Sequence, residues 1–325
     1  MNPLTFPTLR LLADGDFRSG EEMARTLGVT RGTIWNALQG LEAGGVQVFK
    51  VRGRGYRLAE PLSLLDASRI EAALGSRAGK LAIEVLDQVE STSSLLLARA
   101  AAGAPHGAVI AAEWQTAGRG RRGREWHSPL AGALTFSLLW RFEQSAAFLA
   151  GLSLAVGVAL IRALTALGVD NPCVKWPNDV LWRKRKLAGI LVEMHGDTLG
   201  PSSVVIGVGL NWRLSPAVLE RIDAAVADLA SACPERLPDR NVTLATVLRE
   251  LVQVLDAFGH AGFAPLREEW ESHHAHQQRP VRLMLTGGGI VDGIAAGVAD
   301  DGALLLDSTA GRQRFYAGDV TLRPA

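Results

Sequence analysis

Four arginines and three glycines alternate through Gly118-Arg119-Gly120-Arg121-Arg122-Gly123-Arg124, and Trp126 follows. Arginine presents a planar fork of donors that suits phosphate and carboxylate. Glycine lets backbone N–H groups come close to an anion. The stretch has nothing apolar to bury, and its glycines make ordering costly. It reads either as a loop that orders around an anionic small molecule or as a solvated basic loop of the kind that touches nucleic acid nonspecifically. Ser91-Thr92-Ser93 offers hydroxyls that can cap a helix or hydrogen-bond a polar ligand. In Lys175-Trp176-Pro177-Asn178-Asp179, Lys175 is a phosphate-type cation, and Asn178 and Asp179 suit a base edge or a metal-bound phosphate. The same residues also make a plain polar turn at a strand edge. Lys186 opens an apolar run, as a reacting cation or as a solvated gatekeeper. Gly207 and Gly209 interrupt a strand, which weakens it unless something approaches the backbone closely; otherwise they mark a bulge. His273-His274-Ala275-His276 has no cysteine or carboxylate placed to complete a metal site and reads as a solvated helix end.

Placing these residues requires a sheet with helices. Leu81–Leu86, Ala108–Glu113, Leu134–Trp140, Lys186–Glu193 and Val204–Asn211 are apolar strand candidates. Leu95–Ala102 and Ala146–Leu167 are helix candidates, and Ser91-Thr92 falls at a strand-to-helix turn. Gln115 and the arginine stretch leave the end of the Ala108–Glu113 strand, where ligands sit in α/β sheets. That position favours the small-molecule reading.

Before this region, Leu4–Ala13 forms a first helix. Ser19 and Glu22 make a capping box for a second, and Thr30 caps a third that Gly44-Gly45 stops. Val46–Phe49 and Tyr56–Leu58 alternate around Arg52-Gly53-Arg54-Gly55 as a hairpin. Helix, turn, helix and a basic wing predict a winged helix-turn-helix. Lys50, Arg52 and Arg54 suit phosphates, and Arg31, Thr33, Asn36 and Gln39 suit base edges. The other reading is a small helical domain with a solvated hairpin. Glu60–Ser63 is a linker and Asp66–Leu74 a short helix. After residue 277, Arg279–Leu285, Ala303–Leu306 and Asp319–Leu322 are short strands, with turns at Gly287-Gly288-Gly289 and Asp300-Asp301-Gly302; they predict a small SH3-like barrel.

The chain has 325 residues, 48% hydrophobic and 21% charged, with net charge +1, so it is globular, of more than one domain, and basic only in patches. Cys173 and Cys233 stand far apart, which fits a reducing cytoplasm without disulfides. No signal peptide is visible, and the uncharged run Gln144–Ile161 reads as a buried helix rather than a membrane span.

In their order and spacing, Ser-Thr, Gln115, the Arg/Gly stretch with Trp126, Lys-Trp-Pro-Asn-Asp, Lys186-Leu-Ala-Gly-Ile-Leu-Val-Glu193 and Gly207-Val-Gly209-Leu-Asn211 resemble the biotin–protein ligases. With the winged helix in front, the whole chain is similar to the bifunctional biotin ligases that also repress the biotin operon. The resemblance implies an α+β multidomain chain. It has a winged helix-turn-helix over 1–60, a mixed α/β catalytic domain of the class II synthetase-like kind over 61–276, and an SH3-like barrel over 277–325. It implies activation of biotin with ATP and Mg²⁺ to biotinyl-5′-AMP, then transfer to a lysine of the biotin carboxyl carrier protein of acetyl-CoA carboxylase. Operator DNA and a homodimer formed on corepressor binding are implied too, with Ile190–Glu193 as candidate edge strand. By motif, Ser91, Thr92, Ser93, Gln115, Gly118, Arg119, Arg121, Gly207 and Gly209 would meet biotin. Arg119, Arg121, Arg122, Arg124, Trp126, Lys175, Asn178, Asp179 and Asn211 would meet the adenylate, with Lys186 and Arg121 at the reacting groups. Ser93 departs from the family's usual asparagine. Two other readings share these motifs: a ligase whose winged helix no longer represses, and a DNA-binding sensor without transferase activity.

Overall fold

The computed structural model describes residues 2–43, 46–195, 201–220, 222, 224–285, 288–316 and 320–324. Helix α1 (Thr5–Leu12) leads to α2 (Gly20–Leu27) and α3 (Arg31–Ala43). Ser19 caps α2, its Oγ accepting the Glu22 amide at 3.0 Å. Thr30 Oγ1 accepts the Thr33 amide at 3.2 Å and so opens α3. The wing is β1 (Val48–Val51) against β2 (Gly55–Leu58). A Cβ on Gly55 would overlap the Arg18 carbonyl. Glycine there lets β2 pair on its other side with Arg18, whose N–H and C=O both bond Tyr56 at 2.8 Å. Leu9, Leu12, Ile34, Leu41 and Leu58 form the core of this unit. Gly44 and Gly45, the expected helix stop, lie outside the described residues.

The linker is held by hydrogen bonds. Leu62 N–H donates to the Ala13 carbonyl at 2.8 Å. Asn241 receives the Asp66 amide at 2.7 Å and donates to the Leu64 carbonyl at 3.0 Å. Buried Arg240 and Glu113 form an ion pair at 2.5 Å. Glu113 also accepts the Leu65 amide, and Arg240 donates to the Ser63 and Ala133 carbonyls at 3.0 and 2.9 Å.

Asp66 caps α4 (Ala67–Leu74), and a 3₁₀ turn leads into β3 (Ala82–Val89). Then come α5 (Thr92–Ala101), β4 (Ala108–Gln115), β5 (Ala133–Phe142) and α6 (Leu152–Ala166). Next are β6 (Cys173–Lys175), β7 (Asp179–Trp182), β8 (Arg185–His195) and β9 (Ser202–Asn211). The region closes with α7 (Pro216–Leu219), α8 (Leu229–Ala232), α9 (Arg240–Ala261) and α10 (Arg267–Ser272). The seven strands run in the order β3-β4-β5-β9-β8-β7-β6. β3 and β4 are parallel, and the other pairs are antiparallel. Alternation along β5 shows how the sheet sorts its faces. Leu134, Phe136, Leu138 and Trp140 enter the large core with α6 and α9, while Leu139 joins Leu96 of α5 on the other face.

Five further strands follow: β10 (Pro280–Leu285), β11 (Ile290–Val298), β12 (Leu304–Ser308), β13 (Gly311–Phe315) and β14 (Val320–Pro324). Their order is β13-β12-β11-β10-β14, all antiparallel, the expected small β unit. Trp176 Nε1 donates to the Gly302 carbonyl at 3.0 Å, which docks this unit on the central sheet.

Several expectations need correction. The helix expected over 146–167 is a 3₁₀ turn at Ala146–Leu149 and then α6, separated by Gly151 at φ 82. A Cβ on Gly151 would press on the Phe263 ring, so a tertiary contact sets the break. Helix α5 begins at Thr92, three residues early, because Ser91 is its cap. Strands β11 and β13 were not foreseen. Gly287 and Asp319 lie outside the described residues. Ile190–Glu193 is an edge in part. β8 lies between β9 and β7, but its pairing with β7 ends at Gly189, and Ile190 N–H bonds the Asn178 carbonyl at 2.9 Å. Beyond that point, among the described residues, β8 pairs with β9 alone.

The histidine cluster is not a solvated end. His274 is 6% exposed and stacks on Trp270 with ring centroids 4.6 Å apart. Burial pushes its imidazole down from the usual 6.5 to about 4, against a weaker opposing hydrogen bond from Gln277. The unfolded chain therefore takes up a proton near pH 6.5 that the folded chain refuses until about pH 4. The stability this group contributes is complete above pH 6.5 and is lost as pH falls towards 4. Denaturant titrations across this range should show a loss of about 3 kcal/mol attributable to this group. His274→Asn should flatten that limb of the profile; an unchanged slope would refute the assignment.

Candidate active site

Strand β3 and helix α5 meet at Ser91, whose Oγ accepts the Ser94 amide at 3.4 Å. Gln115, the last residue of β4, reaches this turn. Its Oε1 accepts from the Thr92 amide at 2.7 Å and from Thr92 Oγ1 at 3.0 Å. Thr92 Oγ1 lies 2.8 Å from Ser137 Oγ, which lies 3.0 Å from Ser93 Oγ. Gln115, Thr92, Ser137 and Ser93 thus form a buried hydrogen-bonded chain. Ser93 Oγ rests over Gly207, where a Cβ would overlap it. Close approach is the reason for that glycine, and the approaching group here is a side chain of the same protein.

After β4 the arginine stretch forms a closed turn. Trp126 N–H donates to the Gly118 carbonyl at 2.9 Å, and Gly120 N–H to the Arg124 carbonyl at 2.7 Å. Arg119 reaches Ser94 Oγ at 3.0 Å and Glu193 at 2.7 Å. Arg121 Nη1 donates to Asn178 Oδ1 at 3.0 Å, and Asn178 Nδ2 to the Ile190 carbonyl at 2.8 Å. The turn carrying Asn178 contains a cis Trp176–Pro177 bond. The Trp126 indole lies against β9 and β8: a Cβ on Gly209 would overlap its ring, and one on Gly189 would meet it at 3.1 Å. Lys186 Nζ is 2.6 Å from Asp179 Oδ1 and 5.5 Å from the Trp126 ring centroid.

One cleft collects these groups. Ser91, Thr92, Ser93 and Gln115 line one part; Arg119, Arg121, Arg122, Arg124 and Trp126 another; Lys175, Asn178, Asp179 and Lys186 a third. Gly207 and Gly209 supply backbone. Two expected residues do not line it. Gly118 holds the loop through its carbonyl. Asn211 is buried, its Nδ2 donating to the Lys186 and Ala227 carbonyls at 3.3 and 2.9 Å, so it acts on the site through the backbone of Lys186. Four arginines and two lysines face the cleft against Glu125 and Asp179. Burial, then the neighbouring Arg122, push the Arg121 guanidinium below its usual range, with Asp179 opposing. Such a site favours a ligand with several negative charges.

Ser137, Gly189 and Leu322 belong to the site and were not singled out from the sequence. Thr135 and Ser137, two polar residues of equal parity in the apolar strand β5, were the available signal for the first. The expected DNA-facing residues lie in the N-terminal unit. Arg31, Asn36, Gln39, Lys50, Arg52 and Arg54 are exposed, and Thr33 turns its hydroxyl to Thr30 at 2.8 Å.

Residues 85–211 match the biotin/lipoate A/B protein ligase family, 8–57 an HTH domain, and 278–323 the biotin protein ligase C-terminal domain. The chain is 39% identical to the bifunctional ligase/repressor BirA of Escherichia coli, over 100% of this chain and 98% of that protein. The chain belongs to the bifunctional biotin ligase/repressor family. It is also 30% identical to the bifunctional ligase/repressor BirA of Bacillus subtilis, over 95% of each. Among solved structures, the biotin protein ligase from Aquifex aeolicus in complex with biotin and ATP is similar. Its TM-score is 0.64 at 29% identity, over 75% of this chain and 99% of that one.

The packing of Trp126 on Gly209 is testable without any ligand. Gly209→Ala should destabilise the chain by about 2 kcal/mol through overpacking. In a Trp126→Ala background the same change should cost little. A double-mutant cycle by denaturant unfolding checks this, and equal costs in the two backgrounds would exclude the contact.

Proposed function

We propose that the cleft joins biotin to ATP as biotinyl-5′-AMP, releasing pyrophosphate, and then passes biotin to a lysine of the biotin carboxyl carrier protein of acetyl-CoA carboxylase. The observation that carries this reading is the convergence of six cations on a cleft floored by a buried hydroxyl–amide chain. Neither step needs a nucleophile from the protein. A carboxylate oxygen of biotin attacks the α-phosphorus, and the carrier amine attacks the acyl carbon with AMP leaving. The protein's work is positioning and charge neutralisation. Two anions must meet, and Arg119, Arg121, Arg122 and Arg124 offset their repulsion. Thr92, Ser93, Gln115, Gly207 and Gly209 suit the polar ring and backbone-facing side of biotin, with Ser91 and Gly118 fixing the turns around it. Trp126, Lys175, Asn178 and Asp179 suit the adenylate, with Asn211 behind them. Lys186, paired with Asp179 at 2.6 Å, would exchange that carboxylate for the reacting phosphate and carboxylate oxygens.

Mg²⁺ fits here as a companion of ATP. Among the described residues no cluster of three or more His, Cys, Asp or Glu could hold a metal. One cleft carboxylate, Asp179, together with substrate phosphates and water is the donor set this ion accepts. Bound there, it would neutralise phosphate charge.

The chain divides, in this reading, into a DNA reader over 1–60, a catalytic domain over 61–276 and a C-terminal domain over 277–325. The basic wing and the exposed face of α3 support operator binding. The length of β8 beyond Gly189, which among the described residues pairs with β9 alone, supports a homodimer formed edge to edge on corepressor binding. Free Cys173 and Cys233 suit a cytoplasmic protein, and among the described residues no helix is long and apolar enough to cross a membrane.

Wild-type chain with biotin and Mg-ATP should label a carrier domain, and Lys186→Ala or Arg121→Gly should slow adenylate formation by about 100-fold or more in pyrophosphate exchange. Absence of labelling by the wild type sinks the ligase reading. Absence of any biotin-dependent gel shift on DNA upstream of biotin-synthesis genes sinks the repressor reading alone.

A further inference from the structure

Trp35 stands on the outer face of α3 with 49% of its surface exposed. The core of the N-terminal unit does not use it, since Ile34, Ala37, Leu38 and Leu41 supply the buried side of that helix. Arg31 and Gln39, four residues to either side, share its face, with Asn36 adjacent. Side chains on a helix lean towards its N-terminus. Trp35 thus projects from the N-terminal half of α3, on the side of the turn that holds Arg31. Glycine inside a helix is destabilising relative to alanine, and among the described residues no close contact demands it here. A Cβ on Gly32 would meet only Thr30 Oγ1, at 3.7 Å. A large exposed ring and an unforced helix glycine are thus two unfavourable choices, three residues apart on one face.

The surroundings say what would sit there. The wing beside α3 is cationic, and its arginines are braced by aromatic rings: Arg54 lies 4.1 Å and Arg57 5.0 Å from the Phe17 ring centroid. Arg31 shares its charge with Glu21 at 3.4 Å. Cations at the edge, amides of Asn36 and Gln39 between, and a flat apolar ring near the helix N-terminus complement a duplex groove. Phosphates meet the cations, base edges meet the amides, and the C5-methyl of thymine is the apolar group the major groove exposes. In helix-turn-helix proteins the N-terminal residues of the recognition helix are the ones that reach base edges.

We propose that Trp35 contacts bases, its indole packing on a thymine methyl in the major groove, with Gly32 leaving room for the helix end against the DNA. This deepens the DNA-binding reading above and rests on it. Trp35 then sets sequence preference, whereas Lys50 and Arg52 set general affinity.

The test starts with selection from random duplexes by the full-length chain in the presence of biotin and Mg-ATP. Trp35→Ala should lower affinity for the selected duplex about tenfold, the order of one lost base contact. It should leave binding to a scrambled duplex, and the dependence of affinity on salt, unchanged, because no phosphate contact is lost. Replacing thymines one at a time by deoxyuridine should weaken wild-type binding roughly fourfold at one position per half-site, the worth of one buried methyl. The same replacement should not affect Trp35→Ala. Trp35→Phe keeps an apolar ring and should retain most of the preference, which separates lost contact from lost fold. Equal affinities of wild type and Trp35→Ala for the selected duplex, a parallel loss on the scrambled duplex, or indifference of the wild type to every uracil overturns the proposal. A wild-type chain that enriches no sequence overturns the DNA-reading function itself and the proposal with it.

Discussion

The pair formed by Glu113 and Arg240 is the interaction on which the rest of the architecture hangs. Both groups are removed from water, at 2% and 0% exposure. A buried ion pair recovers its desolvation cost only when the remaining donors and acceptors are also satisfied. Here most of the remaining capacity goes to backbone, while Arg240 Nε is buried without a hydrogen-bond partner among the described residues. Glu113 takes the Leu65 amide while Arg240 reaches the Ser63 and Ala133 carbonyls. One electrostatic contact therefore ties together β4, the entry to β5, the start of α9 and the linker that follows the winged helix. An apolar substitute could fill the volume, but it could not hold the backbone of the linker and of the entry to β5 in register. Specificity of arrangement is the better explanation for its presence than raw stability.

A second constraint operates on the cleft itself, where close approach decides which residues can be glycine. Gly207 and Gly209 alternate on β9 so that both face the site, and each is overlaid by a side chain, Ser93 in one case and Trp126 in the other. The floor of the cleft is consequently shaped by hydroxyls and an indole pressed onto a bare strand. Polar groups are paired along the chain from Gln115 through Thr92 and Ser137 to Ser93, which limits the cost of burying them. Among the described residues, the Trp126 indole N–H is buried without a hydrogen-bond partner. An unsatisfied donor against the floor of a cationic cleft marks the place where the site is least content, and it lies on the segment that carries the arginines.

How much of this was legible in the sequence depended on whether the cause was local. Ser19 and Thr30 announced helix starts because a cap is a contact across two or three residues. The arginine–glycine stretch announced itself by composition, and nearly every residue drawn from the motifs lines one cleft. What stayed hidden was set by partners distant in the chain. The break before α6 exists because Phe263 occupies the space beside Gly151. Strand β13, Gly-Arg-Gln-Arg-Phe, has almost no apolar pattern; it is a strand because β12 pairs with it along its whole length. His274 looked polar among polar neighbours, yet it is buried and stacks on Trp270. Asn211 looked like a ligand contact by motif, yet its amide is used on backbone carbonyls.

The same long-range contacts bear on how a ligand site and a DNA reader can be parts of one machine. The segment that leaves Trp126 runs directly to Leu130 and Ala131, which pack into the hydrophobic core of the N-terminal unit alongside Trp114 of β4. Ala131 N–H bonds the Glu113 carbonyl at 3.2 Å, so this contact sits on the residue whose side chain anchors the linker. The arginine turn, the linker anchor and the reader's core are thus contiguous within a few residues of β4. Packed interiors shift between discrete arrangements rather than deforming smoothly. A ligand that reorders the turn around Arg119 and Trp126 acts on a segment whose far end is already part of the reader's core. The wing gains charge contacts only if that core keeps α3 and β2 in register, and Arg18 paired with Tyr56 is what enforces this. Regulation in such a chain requires no separate transmitting domain, because the strand that presents Gln115 to the cleft also presents Glu113 to the linker.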